Sequence, residues 1–443
     1  MKALHIITGL GVGGAEQQLR LLLRHLPVRC DVVTLTNPGA VADGLRADGV
    51  RVTDLGMKGN RDLKAVPALV RLIRRGRYDL VHTHLYRACV YGRIAARLAG
   101  VTATVATEHS LGHAEIEGRP LTPGARALYL GTERLGSATV AVSATVAGRL
   151  RDWGVPAARI HVVPNGIDAA RFRFDPARRL ATRARLGVPA DAFVVGGVGR
   201  IVPGKRFDVL VRAVAALPGA WLLLAGDGPE AGALRTLASR LGAADRIRFL
   251  GECDAAAADS PAPGPAAPAA VACAGGARTA EAAHHPAGTP RTTTSRPAVT
   301  PPAARRPVLR GGTTATAPGI PDLLCAMDAF VSVSREEAFG LAVVEALAAG
   351  LPVLHSTCPA IDDLPAGQSP GARRISGDTG ELTAALRRQM EGGRRRLPPP
   401  PAVGHYDIAR SSERLMDVYA HALALAPSTS FPTEPSPTKR AHP

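Results

Sequence analysis

Two carboxylates, Glu337 and Glu345, stand eight positions apart in the stretch 334–350, which reads Ser-Arg-Glu-Glu-Ala-Phe-Gly-Leu-Ala-Val-Val-Glu-Ala-Leu-Ala-Ala-Gly. On a continuous helix that separation is a little over two turns, so both could project towards one side, Glu337 at or before the helix start and Glu345 inside it. A helix start attracts anions through its free N–H groups and its macrodipole, which makes a phosphorylated ligand a natural occupant. Spacing alone favours the simpler reading, a capped amphipathic helix with surface glutamates.

Other residues bear on that choice. Arg200 and Lys205 flank Pro203-Gly204 directly after a strand-like run. One cation is a fork and the other a point charge, a pair able to neutralise a diphosphate or simply to be solvated. Gly9-x-Gly11-x-x-Gly14 has the dinucleotide-binding spacing. A dehydrogenase would also need an acid at the end of the second strand, but the run Asp31–Thr36 opens on its only acid and ends at Asn37. The glycine loop therefore serves any phosphate or sugar that approaches a helix start. His109 follows Glu108 at a strand end, where ligand-facing residues collect, although a histidine that caps or packs fits equally well there. His82 and His84 read as structural, because a metal would need a third ligand that is not near in sequence. No Asp-x-Asp occurs, so a carboxylate-held divalent metal on a diphosphate is not signalled.

The elements that must position these residues alternate between strand and helix. Strands are expected at Ala3–Thr8, Asp31–Thr36, Val50–Leu55, Leu80–Thr83, Ala103–Thr107, Ala138–Val142 and Ile160–Val163. Helices are expected between them at Ala15–Leu26, Ala65–Arg75, Tyr91–Leu98, Arg126–Leu135 and Ala144–Trp153. After the turn Pro164-Asn-Gly-Ile-Asp168 the pattern restarts, with strands Phe193–Gly199, Trp221–Ala225, Arg246–Leu250 and Ala329–Val333. Alternation of this kind gives α/β domains with doubly wound parallel sheets. Residues 1–168 form the first expected domain and 169–403 the second. Within the second, 252–318 is rich in Ala, Pro, Thr, Gly and Arg without an apolar period and is expected to be a disordered surface insertion. A helix over 404–426 should cross back to the first domain, and 427–443 should be a frayed tail.

Composition narrows the class. With 443 residues and 46% apolar content the chain can bury two sizeable cores. A formal charge of +17 invites a nucleic-acid reading, but aromatic residues are only 4% and no basic run has interleaved aromatics to stack bases. The six cysteines are widely spaced, without a Cys-x-x-Cys pair, which fits a reducing cytoplasm rather than a zinc or disulfide framework. No run reaches about 18 apolar residues, so a membrane span is not expected. Arg71, Arg74 and Arg75 gather at one end of a helix and either form a solvated face or rest on anionic lipid at the inner face of the membrane.

Six segments, taken in order, resemble the retaining glycosyltransferases of family 4, which have two facing Rossmann-like domains, the GT-B architecture. They are Gly9-Leu-Gly-Val-Gly-Gly-Ala-Glu16, Tyr78-Asp-Leu-Val-His-Thr-His84, Val163-Pro-Asn-Gly-Ile-Asp168, Val198-Gly-Arg-Ile-Val-Pro-Gly-Lys205, Ala225-Gly-Asp-Gly-Pro229 and Glu337 through Glu345. The resemblance implies that Arg200 and Lys205 bind the donor diphosphate and that Glu345 holds the nucleotide ribose. It implies that Glu337 and His109 face the donor sugar as catalytic residues. The backbone of Phe339, Gly340 and Leu341, with Gly13 and Gly14 opposite, would approach the phosphates. It further implies a nucleoside-diphosphate sugar as substrate, no cofactor, no metal, and a glycan, lipid-linked or small-molecule acceptor. Asn165–Asp168 would be the linker about which the halves close. The rivals are a two-domain sugar-nucleotide epimerase or phosphorylase and, from another class, a basic nucleic-acid-binding protein.

Overall fold

The computed structural model describes residues 1–112, 115–116, 119–253 and 318–426. Most of the expected insertion and the whole tail therefore lie outside the described residues. The first five strands belong to a parallel sheet whose three central members are buried almost residue after residue, as cover on both faces requires. They are β1 Lys2–Ile7, β2 Arg29–Thr34, β3 Arg51–Asp54, β4 Leu80–His84 and β5 Thr104–Glu108. A small antiparallel hairpin follows, β6 Glu115–Ile116 with β7 Arg119–Pro120, and then β8 Ala138–Ala141 and β9 Ile160–Val162. The first sheet is parallel throughout, in the order β3-β2-β1-β4-β5-β8-β9.

The second sheet comprises β10 Phe193–Val198, β11 Ala220–Ala225, β12 Ile247–Phe249, β13 Ala329–Ser332, β14 Val353–His355 and β15 Ala372–Arg374. Its order is β12-β11-β10-β13-β14-β15, again all parallel. In each sheet the order reverses at the leading strand, β1 or β10, and ligands of doubly wound sheets bind beyond the carboxyl ends at that point. The loops that leave β1 and β10 carry Gly9–Gly14 and Gly199–Lys205. The expected fold, two parallel α/β halves, is thus the observed one.

Several elements escaped the sequence reading. A helix over Gly39–Ala47 starts at Pro38-Gly39, residues more readily read as a turn than as a helix start. The helix Pro176–Leu186 is capped by Asp175, whose side chain accepts from the N–H groups of Ala177 and Arg178. Its buried face is not apolar. Arg183, 1% exposed, donates to Ala326 O at 2.9 Å, Ala192 O at 3.0 Å and Asp328 at 2.7 Å. Arg179 donates to the other oxygen of the same carboxylate at 2.6 Å. Paired arginines replace the hydrophobic stripe that periodicity seeks. Strands β14 and β15 are three residues each, too short to register as runs.

The last described helix, Ile408–Ala424, begins at Asp407, whose side chain accepts from Ala409 N–H. It lies against the first half: Ser412 donates to His25 O at 3.1 Å, and the Tyr419 hydroxyl meets His82 Nδ1 at 2.7 Å. Gly166 is required where this helix meets the Val163–Asp168 turn, because a methyl there would come 2.6 Å from Ile408 Cα. Gln18, its amide oriented to suit both groups, pairs with Gly166 O at 2.8 Å and Gly166 N at 3.1 Å. Among the described residues, no helix is long and apolar enough to cross a membrane.

Candidate active site

The helix Leu341–Ala348 starts at Gly340, which has φ +101°, and a methyl on it would lie 2.5 Å from Cys358 Sγ. Glycine is required there on both counts. Glu337 precedes the helix in an irregular loop, and Glu345 is the fifth helical residue. The two carboxylates are therefore arranged one ahead of the helix and one within it. Opposite lies the start of the helix Gly14–Leu23, entered from Gly13. A methyl on Gly14 would come 3.6 Å from Leu341 Cδ1, so the two helix starts meet. The first N–H groups of each helix have no intrahelical acceptor, which makes such a meeting place electropositive.

Lys205 ends the loop after β10 and forms an ion pair with Glu337 through Oε1. Ser334 donates to the same oxygen at 3.0 Å. Arg200 is exposed at the start of that loop. The loop is held by the Gly226-Asp-Gly turn: Ile201 N–H donates to Asp227 O at 2.8 Å, and a methyl on Gly228 would strike Ile201 O at 2.3 Å. The Ala225–Pro229 segment thus supports the cation loop through its backbone.

The stretch around Glu337 is also tied to the first half by residues that sequence reasoning missed. Ser143 caps the helix Ala144–Trp153 and donates to Ala338 O at 2.7 Å. Arg149, buried and with its guanidinium pKa lowered by burial, donates to Leu111 O at 2.6 Å and Glu337 O at 3.2 Å. Thr145 donates through N–H and hydroxyl to Asp363, at 2.9 Å and 2.6 Å. A serine before a helix signals a cap in the sequence, but nothing signals its bond 195 positions away. Phe339 is 3% exposed and stacks edge-on against Tyr406, with ring centroids 4.9 Å apart.

Burial pushes the Glu345 carboxyl up to about 7, against a smaller opposing pull from Arg171. The side chain is half-buried. Burial also pushes His109 down to about 4, so its ring is neutral near pH 7. His109 Nε2 meets His84 Nδ1 at 3.1 Å, whereas its Nδ1 is out of water without a partner. His84 and His109, with Gln18, Thr107, Asn165 and Ser411, line a cavity of about 30 Å³, room for one or two waters. The third histidine absent from the neighbourhood of His82 and His84 in sequence comes from β1. Candidate ligand atoms of His5, His82 and His84 lie within 4.8 Å of one another. The ring nitrogens of all three take part in hydrogen bonds to one another, His109, Tyr419 and Thr107. Arg71, Arg74 and Arg75 are exposed on their helix, away from this constellation in sequence, with Arg74 donating to Leu98 O at 2.8 Å.

The fold is that of the GT-B glycosyltransferases. Anabaena HepE in complex with UDP and glucose matches 95% of this chain and 99% of its own with a TM-score of 0.71 at 21% identity. The same protein in complex with UDP-glucose matches with a TM-score of 0.70. The family model described as Glycosyltransferase Family 4 matches residues 12–171, and models described as Glycosyl transferases group 1 match 179–259 and 302–391. Between them these models span both halves: the first half is similar to the family 4 glycosyltransferases and the second to the group 1 glycosyl transferases. A D-inositol 3-phosphate glycosyltransferase of Salinispora tropica is 37% identical over 200 residues, 40% of this chain and 41% of the relative. The chain thus spans about two fifths of the length of the curated relatives it matches.

Proposed function

We propose that this protein is a retaining glycosyltransferase that moves a hexosyl group from a nucleoside-diphosphate sugar to an acceptor, without a resident metal. The observation that carries the reading is the meeting of two helix starts beside Lys205, with Glu337 joined to that lysine. The leaving group gains charge as the glycosidic bond breaks, so fixed positive ends and cations aimed at it lower the barrier. Arg200 and Lys205 neutralise the diphosphate, and the N–H groups from Gly340–Leu341 and from Gly13–Gly14 approach it from two sides. Glu345 accepts hydrogen bonds from the ribose. Glu337 and His109 face the sugar on opposite sides of the cleft, and the Asn165–Asp168 turn is the linker about which the halves close. In the bound state Lys205 exchanges its pairing with Glu337 for the phosphates, which frees Glu337 for the sugar.

UDP-sugars are the first donors to test, since HepE carries UDP and UDP-glucose in its complexes. Inositol phosphate is the first acceptor, since the curated relatives are named for it. A lipid-linked acceptor is the second reading, favoured by the exposed Arg71, Arg74 and Arg75, which would bring the protein to anionic membrane as a peripheral partner. A thermal-shift screen of UDP-, GDP- and ADP-sugars identifies the donor. Nucleoside diphosphate release that requires acceptor then separates a transferase from an epimerase or phosphorylase, and release independent of acceptor contradicts the reading. Binding to DNA that is strong and survives moderate salt would favour the nucleic-acid alternative instead.

A further inference from the structure

Six side chains from three strands, one loop and the last described helix form a single line of hydrogen bonds that ends at His109. Thr107 Oγ1 on β5 meets His82 Nε2 at 2.7 Å, and His82 Nδ1 on β4 meets the Tyr419 hydroxyl at 2.7 Å. That hydroxyl lies 3.4 Å from His5 Nε2 on β1. His5 Nδ1 meets His84 Nε2 at 3.0 Å, and His84 Nδ1 meets His109 Nε2 at 3.1 Å. His5, His82 and Tyr419 are wholly buried and His84 is 1% exposed. Burial lowers the basicity of all four imidazoles, His5 to about 3 and His109 to about 4. Each ring is therefore neutral, with one N–H and one acceptor nitrogen.

Counting protons restricts this line severely. Each of the six groups brings one hydrogen-bonding proton, and five contacts must each hold one. If Thr107 donates to His82, every proton points towards His109, all four histidines carry theirs on Nδ1, and His109 Nδ1 is a free donor. If Thr107 accepts, every proton points the other way, all four histidines carry theirs on Nε2, and His109 Nδ1 is a free acceptor. A mixture either places two protons or two lone pairs face to face, or has the Tyr419 oxygen accept from both His82 Nδ1 and His5 Nε2 and leaves the buried tyrosine proton without an acceptor; in a dry interior either loss is costly.

We propose that Thr107, His82, Tyr419, His5 and His84 are positioning residues that force the four imidazoles to share one tautomer, and so set how His109 Nδ1 meets a hydroxyl of the bound hexosyl group. The last clause rests on the reading of His109 as sugar-facing; the shared tautomer does not. The relay differs from ordinary packing because Tyr419, on the last described helix, reaches His109 through His5 and His84. A sugar hydroxyl both donates and accepts, so either polarity gives it a partner, and reversal requires all the bonds to turn over together.

Histidine-selective 15N labelling and two-bond 1H–15N NMR at pH 7.5 reads the tautomers, with each ring assigned by its His→Gln variant. The expected result is one common tautomer for His5, His82, His84 and His109 in the full chain. Tyr419→Phe keeps the ring but removes the hydroxyl that joins His82 to His5, and is expected to uncouple His82 from the other three and leave the His109 tautomer mixed. Thr107→Val releases His82 in the same way, whereas Thr107→Ser retains the pattern. With the donor chosen by the thermal-shift screen, Tyr419→Phe is expected to lower kcat by about threefold to tenfold, the worth of one neutral hydrogen bond, at nearly constant donor KM. Rings divided between tautomers in the unaltered protein, or a His109 signal indifferent to Tyr419→Phe, would overturn the proposal. So would a metal-coordination pattern abolished by EDTA. A common tautomer in a protein that transfers no sugar leaves the relay standing and removes the proposed function; transfer with divided tautomers does the reverse.

Discussion

Substituting Glu345 by Gln tests the donor site through pH. Burial raises the carboxyl from 4.5 to about 7, roughly 3 kcal/mol against the ionised form. The half-exposed side chain keeps some hydration, so the cost in stability is nearer 1–2 kcal/mol. The sign follows from the direction of the shift. The folded state holds this proton more tightly, so stability is greatest below about pH 4.5 and is lost as pH rises to about 7. In the role proposed for Glu345, ribose hydroxyls bind the ionised carboxylate, so affinity should move the opposite way. With a pKa of about 7, the dissociation constant should tighten about tenfold between pH 6 and pH 8. Calorimetric titration with the donor's nucleoside diphosphate at pH 6, 7 and 8 measures this. Glu345→Gln should abolish the slope, weaken binding at pH 8 by about tenfold to a hundredfold, the worth of a charged hydrogen bond, and raise the thermal midpoint at pH 8. A flat profile in the unaltered protein, or the same slope in Glu345→Gln, would refute the assignment of Glu345 to the ribose.

Lys205→Ala should weaken nucleoside diphosphate binding by about 1.5–3 kcal/mol in the same calorimetry, with a smaller effect on the nucleoside alone. Gly340→Ala forces a side chain into φ +101° and onto Cys358; it should cost about 2–4 kcal/mol in denaturant unfolding, with the steric part recovered in a Cys358→Ala background. Asp328→Ala strands the buried Arg183 and its neighbour Arg179, and should destabilise by about 3–5 kcal/mol, the largest stability effect expected here. Replacing Arg71, Arg74 and Arg75 by Glu should remove sedimentation with vesicles containing phosphatidylserine, at about 1 kcal/mol per charge, and vesicle binding unchanged by the triple substitution would exclude this helix as the contact.

The parallel sheets were legible because buried strands such as Ala3–Ile7, interrupted only by His5, and Phe193–Val198 appear as largely apolar runs that lead into glycine loops. The helix Pro176–Leu186 was not, because its inward face is closed by Arg183 and Asp328, a pairing invisible to any apolar period. Motif spacing led to Glu337, Glu345, Arg200 and Lys205, and the ion pair between Lys205 and Glu337 joins residues 132 positions apart. Single-sequence reading located both partners without indicating their contact. Ser143 and Arg149 left no functional signal, since their bonds go to the backbone oxygens of Ala338 and Glu337, which any residues could supply. His82 and His84 were separated from their meaning for a similar reason: His5 and Tyr419 reach them only once β1 and the last described helix are in place.

The most direct test of the account is the stereochemistry of the product. The donor selected by the thermal-shift screen is incubated with inositol 3-phosphate, and the anomeric proton of the transferred sugar is followed by 1H NMR from the first turnover. The account predicts that an α-configured donor yields an α-linked product, with nucleoside diphosphate released in equal amount and release lost in Glu337→Ala. A β-linked first product, or release that proceeds equally without any acceptor, would contradict it.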